Sequence, residues 1–298
     1  MRLLHGRPLA ERLAARSRER SAALLGRGIH PALTVISVGI DSAANTYLLR
    51  LVRGGEALDI TVRDVSLHRD ATEQAVSAEL DRASRDPAVH GVLLLTPLPG
   101  KLDEGQLVDH IAAQKDVEGV NPYNVGLAQG GRQRFVPTTA EAIVELLKFH
   151  DIPLAGADVV VVGRSTVVGR PAAALLLNED ATVTIAHKRT SDVGALTRRA
   201  SIVVVAVGHA GFLTGAMISP GATVVDAGIN MTPAGIAGDA DADSVATVAG
   251  ALSPVPGGVG TVTTALLLRN VLSAAEAQTG DGQRARGGPL IASLRRRR

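Results

Sequence analysis

Short apolar runs closed by glycine or proline alternate along this chain with longer stretches in which apolar residues recur every three to four positions. The short runs predict buried strands, because β-branched residues suit a pleated surface covered on both faces; the longer stretches predict helices packed on such a sheet. In order, residues 2–27 read as an amphipathic helix, with Leu9, Leu13, Leu24 and Leu25 among arginines and alanines. Residues 31–38 read as a strand closing on Gly39. Residues 42–58 read as a helix carrying Tyr47, Arg50, Leu51, Arg53 and Glu56. A strand at 60–67, a helix at 73–85 and a strand at 91–95 follow, the last running into Thr96, Pro97, Leu98 and Pro99. Then come a helix at 106–114 and a polar loop at 115–124. This succession of βα units predicts a first α/β domain over residues 1–150.

The clearest strand–turn–helix lies at 159–171. Four valines end at Gly163, where the chain can turn sharply; Ser165 or Thr166 can cap a helix opening near Val168, and Gly169 permits close helix–strand packing. Such a turn aims backbone N–H groups at an anion, typically a cofactor pyrophosphate. The spacing between the two glycines is not the three-glycine fingerprint, so this stretch alone leaves open a glycine-bearing turn with no ligand. A second strand, 181–186, ends at His187, Lys188, Arg189 and Thr190. Dinucleotide folds that take NAD place an acidic residue here for the ribose; basic residues, with Arg164 in the turn, suit the 2′-phosphate of NADP. Further strands at 201–207 and 222–226 end near Gly208 and Gly228, which completes a Rossmann-type domain over 151–262.

Composition narrows the class. The 298 residues include no cysteine, which excludes disulfides and thiolate chemistry and points to the cytoplasm. The N-terminus is too charged for a signal peptide, and no apolar run is long enough to span a bilayer, so no membrane association is expected. The sequence pI of about 9.3 is local in origin. Residues 281–298 hold six arginines and one aspartate, which leaves the rest of the chain at about −3. That body, with aromatics at only 2%, offers neither the charge nor the stacking surface for nucleic acid. The segment 281–298 reads as a disordered basic tail. His68, His90, His110, His150 and His209 lack metal-ligand spacing, so no metal is expected.

Several motifs together resemble the bifunctional methylenetetrahydrofolate dehydrogenase/methenyltetrahydrofolate cyclohydrolase family. They are Tyr47; the Pro97–Pro99 turn; Lys115, Asp116, Val117 and Gly119; Pro122 to Gly126; Gly163 to Pro171; Asp226, Gly228, Ile229 and Asn230; and the run from Pro254 to Gly260. The resemblance covers about residues 2–278. It implies two α/β domains with a cleft between them, a homodimer, a tetrahydrofolate-type small-molecule substrate and NADP as cofactor. It also implies that a C-terminal helix, 263–278, completes the first domain. The site residues it implies for substrate are Tyr47, Glu118, Pro256, Gly257 and Gly258. For the cofactor they are Gly163, Arg164, Ser165, Val168, Gly169, His187, Lys188, Arg189, Val207, Gly208, Gly228, Asn230, Gly260 and Thr263.

The departures from that family bear on the chemistry. A lysine four residues after the tyrosine is Leu51 here, and a glutamine before the Leu-Pro-Leu turn is Leu95. The acid that holds the pterin amino group is Glu118 instead of Asp, and a late Pro-Met-Thr reads Thr261, Val262, Thr263. The chain has only four lysines against 27 arginines, so loss of lysine to arginine is general; loss to leucine is a different event. Replacing one partner of a buried polar pair strands the other at about 1–3 kcal/mol, whereas replacing both avoids this. Leu51 and Leu95 together therefore read as a rebuilt apolar wall. The alternative is two unrelated core substitutions in a degenerating paralogue. Ring opening of a methenyl folate needs a proton shuttle, which a lysine of lowered pKa supplies and a leucine cannot; Arg50 stays charged. Hydride loss from a methylene carbon flanked by two nitrogens mainly needs alignment and exclusion of water. The expected function is thus an NADP-dependent methylenetetrahydrofolate dehydrogenase whose cyclohydrolase activity is lost. The alternatives are a same-fold oxidoreductase for another cyclic imine or iminium, and a non-catalytic binding paralogue. Asp116 is expected to brace its loop, and His187 either to touch adenine or to cap backbone.

Overall fold

The structure is a computed structural model that describes residues 1–39, 42–100, 102–233 and 235–280, without the side chains of residues 42 and 43. The expected basic tail at 281–298 lies outside these residues. From the amino end the elements are β1 (Arg2–Leu3), α1 (Arg7–Leu25), β2 (Ala32–Val38), α2 (Ser42–Glu56), β3 (Thr61–Leu67), α3 (Glu73–Arg85) and β4 (Gly91–Leu94). Next come α4 (Glu104–Leu107), a 3-10 turn at Val108–His110, α5 (Pro122–Gln129) and α6 (Thr138–Phe149). Then follow β5 (Asp158–Val162), α7 (Gly169–Asn178), β6 (Thr182–Ala186), α8 (Val193–Thr197), β7 (Ile202–Val205) and β8 (Thr223–Asp226). The last are β9 (Asn230–Thr232), β10 (Gly235–Ala237), α9 (Ala242–Ala246), β11 (Ala251–Leu252) and α10 (Val259–Gln278).

Two compact α/β units result, one of residues 1–16 with 118–267, the other of 17–117 with the described residues from 268 to 280. In the second, three parallel strands pair in the order β3-β2-β4. β2 is buried along its whole length, as its run of aliphatic residues predicts, while β3 at the sheet edge alternates between exposed and half-buried positions. Helix α3 starts where Thr72 accepts from the Ala75 amide, and buries Val76, Leu80 and Ala83.

The first unit carries a six-stranded parallel sheet, β1-β11-β8-β7-β5-β6. Successive side chains of a strand face opposite sides, and the core divides accordingly. Val159, Val161, Ile202, Val204 and Val225 pack with α6 and α7 residues such as Leu146 and Leu175. Val160, Val162, Val203, Val205 and Val224 pack on the other side with Leu213, Ile218 and Val245. Both faces are covered, which is why these strands read as unbroken apolar runs.

Three expectations are corrected. Residues 2–3 form β1 rather than the start of a helix, because Arg2 and Leu4 donate to Gly250 and Leu252 across the end of the sheet. The helix expected at 106–114 is instead α4 plus the 3-10 turn. Asp103 caps it early by accepting from Gly105 and Gln106, and Ser84 of α3 ends it by donating to the His110 carbonyl and accepting from the Ala112 amide. The compact units part at Val117 and Glu118 rather than at residue 150, since α6 packs its Ile143, Leu146 and Leu147 into the core of the six-stranded sheet. Likewise α10 supplies residues 259–267 to one unit and 268–278 to the other.

Candidate active site

In an open parallel sheet, ligands bind beyond the carboxyl ends of the strands where strand order reverses. Here β5 is followed through α7 by β6 on one side, and the chain then crosses to β7 on the other. The turn after β5 is tightly built. Gly163 has φ +125°, donates to the Ala186 carbonyl at 2.9 Å, and a Cβ on it would lie 2.1 Å from the Ala206 carbonyl oxygen. A Cβ on Gly169 would lie 2.2 Å from the Gly163 carbonyl oxygen, so α7 begins in direct contact with the turn. Ser165 Oγ accepts from the amides of Val168 and Gly169 at 3.2 and 3.3 Å. These glycine-lined approaches are the cradle a dinucleotide needs, so the residues fit the NADP expected from the sequence.

Around this cradle, Arg164, Lys188 and Arg189 are exposed. His187 holds its own turn together, its amide donating to Thr190 Oγ1 at 2.9 Å and its Nδ1 accepting from the Arg189 amide at 3.2 Å. The backbone-capping role expected of it is therefore present. Val207, Gly208 and Gly228 lie beyond β7 and β8, with Asn230 opening β9. The loop from Pro256 to Gly258 packs on the amino-terminal segment: Gly6 donates to the Gly257 carbonyl at 2.8 Å, and a Cβ on Gly6 would lie 2.2 Å from the Gly258 carbonyl oxygen. The peptide bond before Pro256 is cis. Gly260 and Thr263 start α10, with Thr263 Oγ1 donating to the Gly260 carbonyl at 3.1 Å. Glu118 is half-buried, and its Oε1 accepts from Thr138 Oγ1, the first residue of α6, at 2.9 Å.

The other unit holds Tyr47, Leu51 and Leu95. On α2 the residues Ala44, Leu48 and Leu51 form the buried stripe, and Leu51 is fully enclosed; Tyr47 beside the stripe is half-buried and Arg50 exposed. Leu95, at the end of β4, is also buried, and its amide donates to the Ile36 carbonyl at 2.8 Å. The peptide bond before Pro97 is cis. Asp116 is fully buried and bridges β4 at Val92, consistent with bracing its loop. Lys115 has a structural role that its sequence context did not reveal. Buried at the carboxyl end of α3, its Nζ donates to the carbonyls of Asp86 and Ala83 at 2.6 and 3.4 Å. Burial pulls its pKa down, and Asp86 pushes it partly back.

Two buried carboxylates lie beneath the strand ends: Asp226, which the sequence motif contains but to which it assigns no role, and Asp239, which sequence reasoning passed over. Burial pushes the Asp226 carboxyl up, against the pull of the amides of Ala240, Asp239 and Gly228 that donate to it. The only sequence signal for Asp239 is a polar Gly-Asp-Ala-Asp stretch after β10. Among the described residues no three His, Asp or Glu side chains cluster to hold a metal, and no helix is long and apolar enough to cross a membrane.

Residues 4–118 match the tetrahydrofolate dehydrogenase/cyclohydrolase catalytic domain, and residues 137–279 match the NAD(P)-binding domain of the same family. The bifunctional protein FolD of Nocardia farcinica is 48% identical over 278 residues, spanning 93% of this chain and 98% of that protein. The crystal structure of the bifunctional methylenetetrahydrofolate dehydrogenase/cyclohydrolase FolD from Campylobacter jejuni is similar at a TM-score of 0.90 and 36% identity, covering 93% of this chain and 99% of that one. The Trypanosoma brucei N5,N10-methylenetetrahydrofolate dehydrogenase-cyclohydrolase, solved with NADP cofactor and an inhibitor, is similar at a TM-score of 0.89 and 33% identity, covering 93% and 98%.

Proposed function

This chain belongs to the tetrahydrofolate dehydrogenase/cyclohydrolase family, and on that premise we propose that it oxidises methylenetetrahydrofolate while having lost the hydrolysis of the methenyl product. It is an NADP-dependent oxidoreductase of the methylenetetrahydrofolate dehydrogenase type. When bound, NADP supplies the hydride acceptor. The protein's own share is alignment. The Gly163–Gly169 turn and Ser165 hold the pyrophosphate end, Arg164, Lys188 and Arg189 the 2′-phosphate, and Val207, Gly208, Gly228, Asn230, Gly260 and Thr263 the remainder. Tyr47 stacks on the substrate ring, Glu118 accepts from its amino group, and Pro256, Gly257 and Gly258 let backbone approach it closely. A homodimer in the cytoplasm is in keeping with a cysteine-free chain and an exposed edge strand β3.

The observation that carries the lost hydrolysis is the burial of Leu51 on α2. The leucine side chain that fills this position has no ionisable group to exchange a proton, and general acid–base catalysis is typically worth about 10²–10⁴-fold. The test follows methenyl absorbance after a burst of dehydrogenation with methylenetetrahydrofolate and NADP. The methenyl product should decay no faster than in buffer. Leu51→Lys with Leu95→Gln should restore enzyme-dependent decay, and Leu51→Lys alone should be poorer and less stable, its ammonium lacking a partner. Clear enzyme-dependent decay in the wild type would end this reading. The same two leucines favour one second reading, a different cyclic iminium substrate; absence of any hydride transfer from the folate would select it.

A further inference from the structure

The geometry points to Asp239 as a positioning residue for cofactor binding: its carboxylate sets the shape of the loop after β7 against which NADP is proposed to lie. The inference rests on the cofactor reading of Val207 and Gly208 given above. Asp239 is completely buried. Its Oδ2 accepts from the amides of Val207 and Gly208 at 2.6 and 2.9 Å, and its Oδ1 accepts from the His209 amide at 2.9 Å and from Asn230 Nδ2 at 2.8 Å. Gly208 has φ +67°, so three successive amides curl toward one point. Such a nest of N–H groups is an anion site, and here the chain's own carboxylate fills it. These amides are therefore not available to cofactor phosphates. What the loop presents to a ligand is its outer surface, in the shape that Asp239 imposes.

The clamp is itself held. Asp226 accepts from the Asp239 amide at 3.0 Å, from Ala240 at 2.8 Å and from Gly228 at 2.8 Å, while Ser253 Oγ accepts from the Asp226 amide at 2.8 Å. One buried carboxylate thus fixes the backbone of the other, and together they tie the segments after β7, β8 and β10. A carboxylate is needed at residue 239 because all four of its partners donate. An amide of the same size would turn two donor hydrogens toward backbone N–H groups.

The test is NADPH titration and steady-state kinetics on Asp239→Asn, beside Gly208→Val, which alters the loop directly. Misplacing a binding surface by about 1 Å can weaken function on the order of 10²-fold. Asp239→Asn should accordingly raise Kd and KM for the cofactor about 10–100-fold, with kcat and the folate KM changed less than about threefold. A merely structural role would instead lower the active fraction and leave the cofactor KM alone, and that result would overturn the inference. If Gly208→Val binds NADPH like the wild type, the cofactor reading of this loop fails. If Gly208→Val weakens binding and Asp239→Asn does not, the positioning role alone fails. Should Asp239→Asn not fold, hydrogen exchange on the cofactor-free wild type decides: the Val207, Gly208 and His209 amides should be protected, and exchange at open-loop rates would refute the clamp.

Discussion

Leu51 shows how one side chain's burial carries chemical meaning, and other residues of this chain can be read in the same way. Arg164, Lys188 and Arg189 are exposed, so their charges contribute only where a ligand desolvates them. Hydrogen bonds to charged groups are worth about 1.5–3 kcal/mol, so Arg164→Ala or Arg189→Ala should each weaken NADP about 10–100-fold and leave NAD nearly unchanged. Parallel titrations check this; equal losses for both cofactors would mean the arginines do not meet the 2′-phosphate. His90 offers a pH test. It is buried, its Nδ1 accepts from the Ala32 amide at 3.2 Å, and its pKa is lowered by burial first, then by the charges of Lys115 and Arg63. An unfolded chain therefore takes up the proton before the folded one does. The stability His90 contributes is present above about pH 6.5 and is lost as pH falls from there toward the folded-state pKa. Urea midpoints between about pH 7.5 and 5.5 should drop more steeply for the wild type than for His90→Asn, which keeps an acceptor but cannot titrate. Parallel slopes would remove His90 from the account.

At the scale of elements, what local pattern could encode was legible and what distant partners decide was not. The valines of β5, the turn at Gly163 and the Ser165 hydroxyl that accepts from the Val168 and Gly169 amides all lie within a dozen residues, and their chemistry is local, although the residue at the N-cap of α7 is Val168. α3 has its N-cap Thr72 and a clean apolar face, and its expected span matches the structure. By contrast β1 has two residues and exists only because β11, from the far end of the chain, pairs with it. The stretch 106–114 keeps a helical rhythm, but Ser84 on another helix takes its terminal groups. Likewise Asp239 clamps amides some thirty residues earlier, and no spacing rule anticipates that. Lys115 belongs to the same class. It ends α3 from outside the helix, meeting carbonyls at the negative end of the dipole. Lys115→Met should destabilise the protein by about 1.5–3 kcal/mol, since two carbonyls lose a charged donor while the volume is kept. Chemical denaturation measures it. An unchanged midpoint would show that water replaces the ammonium at no cost.

For the whole molecule, the decisive feature is that two continuous helices serve both compact units. Helix α1 contributes its residues up to Arg16 to one unit and those from Ser17 to the other, and α10 changes unit between Leu267 and Leu268. Unfolding either unit would leave part of each helix without the apolar surface that stabilises it, and short helices are marginal alone. The two units should therefore unfold in one transition, although the cofactor is proposed to touch only the unit that carries the six-stranded sheet. The chain supplies its own probes, for it has no tryptophan and its two tyrosines fall one in each unit, Tyr47 in residues 17–117 and Tyr123 in 118–267. In a Tyr123→Phe variant, tyrosine emission reports on the three-stranded unit alone. NADP at about 100 times its Kd adds about 2.7 kcal/mol to whatever folds with its site. The Tyr47 melting curve should then shift upward with NADP by as much as the far-ultraviolet dichroism of the whole protein, with calorimetric and van't Hoff enthalpies equal. A Tyr47 transition that ignores NADP, or that separates from the dichroism, would mean that the shared helices part before the units do.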